Sequence, residues 1–389
     1  MRRIATTALL AWLLVAATLA QALAGELLRF DADERMRILA HGPWPPPAPR
    51  DPSNRVSGQP AAIAFGEVLF HSARLSTVGG LRCASCHEPW RSLTDGRARS
   101  LGAEPGSRNT PSLFNVGLQR SFGWDGANDS LWAQSIRPLL DPTEMRASAA
   151  RVAALVRTDP ALAAMHAQAF GGPPKDDDDT LLVDVGKSLA AFEETLLSAA
   201  TPFDRFRDAL ARGDVDAASS YELPAQRGLR VFVGRGRCAA CHSGATFSDG
   251  GFHLSLIVSR LPNAAPDRGH EAGVESLRAN PYNLLGRYND SQAGRASAEA
   301  SQAAAGEVGH AGAFRTPGLR EVAMTAPYMH DGSVDNLCDA LQSHAGPGSI
   351  NQIAPPLSLA ERRDLVAFLR SLSARRESPL VDEAVYRCQ

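Results

Sequence analysis

The chain contains one short motif twice, as Cys83-Ala84-Ser85-Cys86-His87 and as Cys238-Ala239-Ala240-Cys241-His242. Cys-x-x-Cys-His is the attachment signature of c-type haem. The two thiols form thioether bonds to the haem vinyl groups, and the adjacent histidine is then placed to ligate the iron. Two structural zinc clusters are the alternative, but zinc would need further Cys or His pairs at matching spacing, which the sequence lacks. The motifs therefore predict two covalently bound haem c groups, with His87 and His242 as the proximal iron ligands.

The N-terminus indicates an exported protein. Arg2 and Arg3 precede an apolar run over residues 4–20, and Ala22-Leu23-Ala24 follows as a small-residue cleavage site. This order is typical of a secretory signal peptide over residues 1–24, and an uncleaved membrane anchor is the alternative on the same features. We expect a periplasmic protein with no membrane span after cleavage. In that oxidising compartment Cys338 and Cys388 are expected to form a disulfide, provided that their Cα atoms approach closely enough.

Length and composition indicate a globular protein of two or three domains. The 389 residues are 44% hydrophobic and 21% charged, which is typical of a folded chain. The formal net charge is −2, and it becomes −4 without residues 1–24 because that segment contains two arginines and no acids. No excess of positive charge is available to bind a phosphate backbone, so nucleic acid is excluded as a partner.

Helical patterns dominate the chain and predict a mostly α fold. Helices are expected over residues 132–140, 147–156 and 182–196, the last preceded by four solvated acids at 176–179. A final helix is expected from Ser358, where Glu361 completes a capping box. Residues 260–312 show no sustained period and predict a long surface loop.

The domain organisation follows from these patterns. After the signal peptide, residues 25–58 form a proline-rich N-terminal strap, expected to run extended over the surface. We predict an N-terminal c-type haem domain over residues 59–205 and a C-terminal c-type haem domain over residues 206–389.

Further motifs carry a resemblance to the bacterial di-haem cytochrome c peroxidase and MauG superfamily over about residues 60–375. They are Arg108-Asn109-Thr110-Pro111-Ser112, Phe122-Gly123-Trp124-Asp125-Gly126, Pro142-Thr143-Glu144-Met145 and Thr325-Ala326-Pro327-Tyr328-Met329-His330-Asp331-Gly332. The resemblance implies two cytochrome c-like haem domains packed against each other, the first peroxidatic and the second transferring electrons.

The resemblance also implies three catalytic residues. Glu144 matches a glutamate that moves a proton between the two oxygens of peroxide, and Gln134, ten residues earlier, stands beside it. Trp124 matches a tryptophan that lies between the haems and carries electrons. From the residues alone, Glu144 is equally a surface residue at a helix start, and Trp124 is equally a core residue.

The distal iron ligands follow from the same register. Many relatives close the first haem with a histidine in the loop after the first motif, but the matching residue here is Ala103, so that haem is expected to be five-coordinate or water-bound. In the second half, the position of the distal methionine or tyrosine is taken by His344. We expect a low-spin haem held by His242 and His344, with a lower potential than methionine would give. A loop histidine without iron contact, and His330 as a competing ligand, are the alternatives.

A calcium site between the domains is implied at Asn109, Thr325 and Pro327, through one side-chain amide and two backbone carbonyls. Three neutral ligands bind calcium weakly, so haem propionates are expected to contribute. Arg108 is expected to pair with a propionate, and an exposed arginine is the alternative.

The function that the resemblance implies is a periplasmic di-haem peroxidase, which reduces hydrogen peroxide to water with electrons from a small c-type cytochrome or a cupredoxin. The alternative is a MauG- or MbnH-like enzyme that uses peroxide to oxidise residues of a partner protein, which Ala103 and His344 favour. A third class is a non-catalytic electron carrier, which would need a sixth ligand for the first haem that the loop does not offer. A homodimer is left open.

Overall fold

The computed structural model describes residues 26–255, 266–291, 311–344, 354–374 and 383–388, together with Arg295 and Glu299. This part of the chain is mostly helical, as predicted. Its α-helices are α1 (Ala32–Leu39), α2 (Pro60–Phe70), α3 (Cys83–Cys86), α4 (Leu131–Leu140), α5 (Ala149–Thr158), α6 (Pro160–Phe170), α7 (Asp178–Glu193), α8 (Pro202–Arg212), α9 (Val215–Ser219), α10 (Leu223–Val233), α11 (His270–Ala279), α12 (Leu337–His344) and α13 (Leu359–Arg370). The strands β1 (Phe252–Leu254) and β2 (Ala313–Arg315) pair antiparallel, with Phe252 opposite Arg315.

No helix in the ranges given above is long and apolar enough to cross a membrane. The predicted signal peptide over residues 1–24 lies outside the described residues.

Two hydrophobic clusters hold the helices together. The first is built from α2 and α4 to α7, around the buried face of α7. The second is built from α8 to α10, α12 and α13, and it also includes Ile38 of α1. Along the chain, Ile38 belongs to the second cluster, the cluster residues from Val56 to Ala191 belong to the first, and those from Phe203 onward belong to the second, except that Tyr282 returns to the first. Each haem motif is therefore next to its own hydrophobic core, with Cys83 packed on the first and Cys238 on the second.

A glycine allows two helices to approach closely in each cluster. A Cβ on Gly66 of α2 would lie 1.9 Å from the Ser188 carbonyl oxygen of α7. A Cβ on Gly228 of α10 would lie 2.0 Å from the Asp364 carbonyl oxygen of α13. Any larger residue at either position would push the two helices apart.

The acidic run before α7 lies where it was predicted, because the helix begins at Asp178 with Asp177 as its N-cap. The helix ends at Glu193, however, so the expectation that it continues to Leu196 was wrong. The backbone turns there so that the Leu196 carbonyl accepts the amide of Asn115, at 2.7 Å. A contact between distant segments thus overrides the helical spacing of the leucine.

The N-terminal strap does not simply run extended over the surface. A capping box between Asp31 and Glu34 starts α1. His41 and Trp44, the two aromatic residues that follow this helix, are buried. Trp44 donates its Nε1 proton to the Ser198 carbonyl at 3.0 Å, and the Arg320 guanidinium lies 3.5 Å from its ring centroid. Rings of this size stabilise the fold when they are buried, which explains why the strap is drawn inward.

The long loop predicted over residues 260–312 is interrupted by regular structure. It contains α11, whose buried residues are Gly273, Val274 and Leu277, and it approaches β2 at its end. Three buried residues are too few to produce a clear helical period. Residues 256–265, and residues 292–310 apart from Arg295 and Glu299, are not among the described residues.

The C-terminal region matches its predictions. Ser358 and Glu361 form the expected capping box at the start of α13. The disulfide between Cys338 and Cys388 is present, with the two Cα atoms 5.3 Å apart. It fastens the C-terminal segment to α12, the helix that ends at His344.

Candidate haem sites

The first motif presents its histidine in a defined orientation. Cys83 and Cys86 lie on α3 and are free thiols, and His87 follows directly. His87 Nδ1 lies 3.0 Å from the Leu93 carbonyl oxygen and donates to it, so Nε2 is left for a metal. Leu93 is left-handed, with φ of 60°, and this conformation turns its carbonyl toward the imidazole.

The second motif repeats this construction. His242 Nδ1 lies 3.1 Å from the Phe247 carbonyl oxygen, and Phe247 is also left-handed, with φ of 57°. Burial raises the pKa of the Cys238 thiol to about 12, so the free thiol stays protonated at neutral pH. Burial is also the main cause that raises the pKa of the thiols of Cys83, Cys86 and Cys241. The four cysteines therefore suit thioether attachment.

His344 lies opposite His242, with ring centroids 6.4 Å apart and ring planes at 47°. Its Nδ1 donates to the Ala340 carbonyl at 2.7 Å, which again leaves Nε2. Two metal–nitrogen bonds of about 2.0 Å each, with roughly 1.1 Å from each nitrogen to its ring centre, add up to about 6 Å. The separation of the rings therefore fits one metal ion between two imidazoles.

His330, the competing candidate, lies elsewhere. Its ring stacks on Phe314 with centroids 3.7 Å apart and planes at 11°, and the side chain is buried. Its carbonyl accepts the amide of Asn109 at 2.8 Å. The ring contact with His242 is thus made by His344.

Glu144 is held beside the first motif by two sets of contacts. Its Oε1 accepts from Arg137 Nη2 at 2.6 Å, and its carbonyl accepts the amide of Ala103 at 2.9 Å. The loop that carries Ala103 therefore lies directly against Glu144. The Glu144 carboxylate also acts electrostatically on Cys83, Cys86 and His87. Sequence reasoning missed Arg137, although it lies on α4 one turn after Gln134.

Gln134 is fixed by a chain of amides. Its Oε1 accepts from Asn128 Nδ2, and Asn128 Oδ1 accepts from Asn280 Nδ2, each at 2.9 Å. These two hydrogen bonds orient the Gln134 side chain and leave its Nε2 protons for another acceptor. No hydrogen bond joins Gln134 to Glu144 within the described structure.

Trp124 connects segments from the two halves of the chain. Its Nε1 donates to the Asn109 carbonyl at 2.9 Å, and its own carbonyl accepts the amide of Arg315 at 2.8 Å. Since Asn109 is bonded in turn to His330, Trp124 lies at the junction between the first-motif and second-motif halves.

The residues expected to bind calcium and a propionate lie near this junction. Asn109 Nδ2 donates to the Arg97 carbonyl at 2.8 Å, and Asn109 is next to the turn that contains Pro327 through its bond to His330. Arg108 makes a bidentate ion pair with Asp267, at 2.7 and 2.8 Å. It also makes a single contact with the Asp125 carboxylate, at 2.5 Å. Its guanidinium is therefore already neutralised by two carboxylates.

These features define a di-haem c-type cytochrome fold, in which two attachment motifs lie on separate hydrophobic cores and each proximal histidine is oriented by a backbone carbonyl. Residues 60–212 match the family model described as di-haem cytochrome c peroxidase. The chain belongs to the di-haem cytochrome c peroxidase and MauG family, and it is an oxidoreductase with two c-type haems.

Individual relatives represent both branches of the family. The chain is 34% identical over 326 residues to the methylamine utilization protein MauG of Methylorubrum extorquens, covering 81% of this chain and 79% of the relative. It is 28% identical over 328 residues to the cytochrome c551 peroxidase of Pseudomonas aeruginosa, covering 82% and 81%. The crystal structure of a MauG-like protein associated with microbial copper homeostasis is similar with a TM-score of 0.63 and 25% identity, covering 89% of this chain and 97% of that one.

Proposed function

We propose that the protein is a di-haem peroxidase that reduces hydrogen peroxide to water at the first haem. The observation that carries this proposal is the position of Glu144, whose carbonyl accepts the amide of Ala103 at 2.9 Å and whose carboxylate is held by Arg137 beside the loop that follows the first motif. When bound there, the haem supplies the redox chemistry of the iron. Ala103 offers no ligand on the adjoining loop, so a coordination position remains for peroxide.

The chain's own residues then bind peroxide and move its protons. The Glu144 carboxylate accepts a proton from one peroxide oxygen and returns it to the other, while Arg137 holds the carboxylate in place. Gln134 Nε2 orients the peroxide, because the amide chain through Asn128 fixes its direction. His87, oriented by its hydrogen bond to the Leu93 carbonyl, would hold the iron of the first haem.

The two hydrophobic clusters serve as two cytochrome c-like haem domains, with the boundary between Ala191 and Phe203. His242 and His344 would hold the haem of the second domain, and that haem would supply electrons when bound. Trp124 lies at the junction and relays them to the first haem. Asn109, Thr325 and Pro327 bind one calcium ion near the same junction, and export to the periplasm precedes haem attachment.

A partner protein delivers the electrons at a cleft of about 680 Å³ beside the second motif. The cleft runs from α1 to Ala239 and Ala240, which lie between the two haem cysteines. Its rim carries three exposed arginines and, among the described residues that line it, no acid: Arg37, Arg235 and Arg237. Arg235 is paired with Glu361, so the available positive charge comes from Arg37 and Arg237, and it favours a small cytochrome or cupredoxin with an acidic surface.

A second function, MauG-like oxidation of a partner protein, is favoured by the pairing of His344 with His242. Imidazole in place of methionine lowers the haem potential, and a low potential helps the second haem to share oxidising equivalents with the first.

One experiment distinguishes the two functions. The purified holoprotein is mixed with hydrogen peroxide, with and without a reduced acidic c-type cytochrome. Rapid multiple-turnover oxidation of the cytochrome supports the peroxidase. A near-infrared band that persists for minutes, with negligible cytochrome oxidation, supports the MauG-like function. A resting protein in which both haems are low-spin would contradict both functions, because neither iron would be open to peroxide.

A further inference from the structure

Arg315 is a buried cation at the junction between the two halves of the chain. Only 6% of the residue is exposed. Its Nε donates to the Gly123 carbonyl at 3.2 Å, and its Nη1 lies 3.5 Å from the Thr316 carbonyl. Its backbone amide donates to the Trp124 carbonyl. The guanidinium is therefore anchored by neutral carbonyls only.

Two other arginines that lie wholly or partly buried, Arg320 and Arg108, are neutralised. Arg320, 5% exposed, makes a bidentate ion pair with Asp204 at 2.8 and 2.9 Å. Arg108 is paired with Asp125 and Asp267. Arg315 has no carboxylate within ion-pair distance in the part of the chain that the structure describes, and burial lowers its pKa to about 10. A buried charge without a counter-ion is costly, so a missing anion is expected at this position.

The strand that carries Arg315 points to the source of that anion. Arg315 pairs with Phe252 of β1, and the Thr316 amide donates to the Gly251 carbonyl at 2.8 Å. The Ser248 hydroxyl donates to the Thr316 carbonyl at 2.7 Å. Residues 248–252 begin six positions after His242, so β2 is fastened to the segment that leaves the second motif.

We propose that Arg315 binds a propionate carboxylate of the second haem. A haem carries two propionates, which are the anions that each attachment motif brings into the fold. Arg315 thereby takes the role that the sequence assigned to Arg108. A carboxylate paired with a guanidinium in a buried site makes a strong, directional ion pair. Since the Arg315 amide is also bonded to Trp124, this ion pair links the second haem to the junction residue.

This inference rests on the proposed ligation of the second haem by His242 and His344. Its test distinguishes a failure of the Arg315 ion pair from a failure of that ligation. The holoproteins of wild type, Arg315→Gln, Arg315→Lys and Arg212→Gln are compared by spectroelectrochemistry, with the two haems resolved. Arg212 lies at the exposed end of α8 and controls for net charge. The low-spin signal of the second haem reports its ligation independently.

We expect Arg315→Gln to lower the midpoint potential of the second haem, because a nearby cation stabilises the reduced iron. Arg315→Lys should restore most of the shift, and Arg212→Gln should cause none. A shift no larger than that of Arg212→Gln, or a larger shift at the first haem, would overturn the proposal. If Arg315→Gln does not fold, resonance Raman spectra of wild type and Arg315→Lys decide. A propionate bending mode of the second haem that differs between them supports the ion pair, and identical modes refute it.

Discussion

His41 stacks face to face on Phe247, with ring centroids 4.5 Å apart and planes at 8°. Phe247 is the residue whose carbonyl accepts the Nδ1 proton of the second proximal histidine. His41 Nδ1 also lies 3.1 Å from the Gly244 carbonyl oxygen, within the same loop. The N-terminal strap therefore helps to fix the orientation of His242, although about two hundred residues separate them in sequence.

Replacing His41 by alanine should weaken this arrangement. Removing a buried, stacked ring costs about 1–3 kcal/mol of unfolding free energy, and a less firmly held Phe247 carbonyl should raise the potential of the second haem. Urea denaturation and potentiometry measure the two effects. His41→Phe keeps the stack and should retain most of the stability. Equal losses in both variants would show that stacking contributes nothing.

Glu144→Gln should slow the reaction with peroxide by about 10²-fold or more, because the amide cannot accept the peroxide proton. Stopped-flow mixing of the resting protein with peroxide measures the rate. Glu104→Gln is the matched control, since Glu104 is exposed on the neighbouring loop and pairs with Arg146 at 3.1 Å. An unchanged rate in Glu144→Gln would remove this carboxylate from the mechanism.

His344→Ala should convert the second haem from low spin to high spin, because it removes the imidazole opposite His242. Electron paramagnetic resonance of the ferric protein reports the change. His330→Phe retains a ring against Phe314 and should leave the low-spin signal intact. The opposite pattern would identify His330 as the distal ligand.

Glu193 predicts how stability depends on pH. Burial raises its pKa from 4.5 to about 8, and the Ser135 hydroxyl donates to it at 3.1 Å. The folded protein keeps a proton that the unfolded chain releases. This contribution to the unfolding free energy is therefore complete below about pH 4.5 and is lost as the pH rises toward 8, by up to about 1.4 kcal/mol per pH unit. In urea denaturation measured at a series of pH values, Glu193→Gln should flatten the decline of the unfolding free energy with pH. Replacement of the exposed Glu67 by glutamine should not. Identical slopes in all three proteins would contradict the buried proton.

Reversing the charge of the cleft should slow electron delivery. The double variant Arg37→Glu, Arg237→Glu is expected to lower the association rate of an acidic cytochrome about tenfold or more at low salt, and the difference should shrink at high salt. Arg212→Glu changes charge away from the cleft and serves as the control. If both proteins lose rate equally, the effect is one of net charge alone.

The haem attachment motifs were predictable from sequence because covalent chemistry fixes their spacing. His344 was predictable from register, and the structure brings it opposite His242. The buried surroundings of Arg315 could not be predicted from the sequence, because Gly123, whose carbonyl it contacts, is 192 residues away. His41 was missed for the same reason, since its proline-rich surroundings suggested an exposed segment.

The interrupted loop shows a second limit. Only three of the ten residues of helix α11 are buried, so the hydrophobic pattern is weak. It is held in place by a close approach at Gly273, where a Cβ would lie 2.1 Å from the Asp125 carbonyl oxygen. Neighbouring segments, rather than local propensity, determine such an element.

The bond between Cys338 and Cys388 has a consequence for biogenesis. Its partners are 50 residues apart, whereas Cys83 and Cys86, like Cys238 and Cys241, are close neighbours that oxidise readily to the wrong pairs. Maturation must therefore oxidise one pair of thiols while the other four stay reduced until a porphyrin is covalently attached to them. The cell has to order these two chemistries in time, and a host that oxidises thiols faster than it attaches porphyrin should accumulate colourless, mispaired protein.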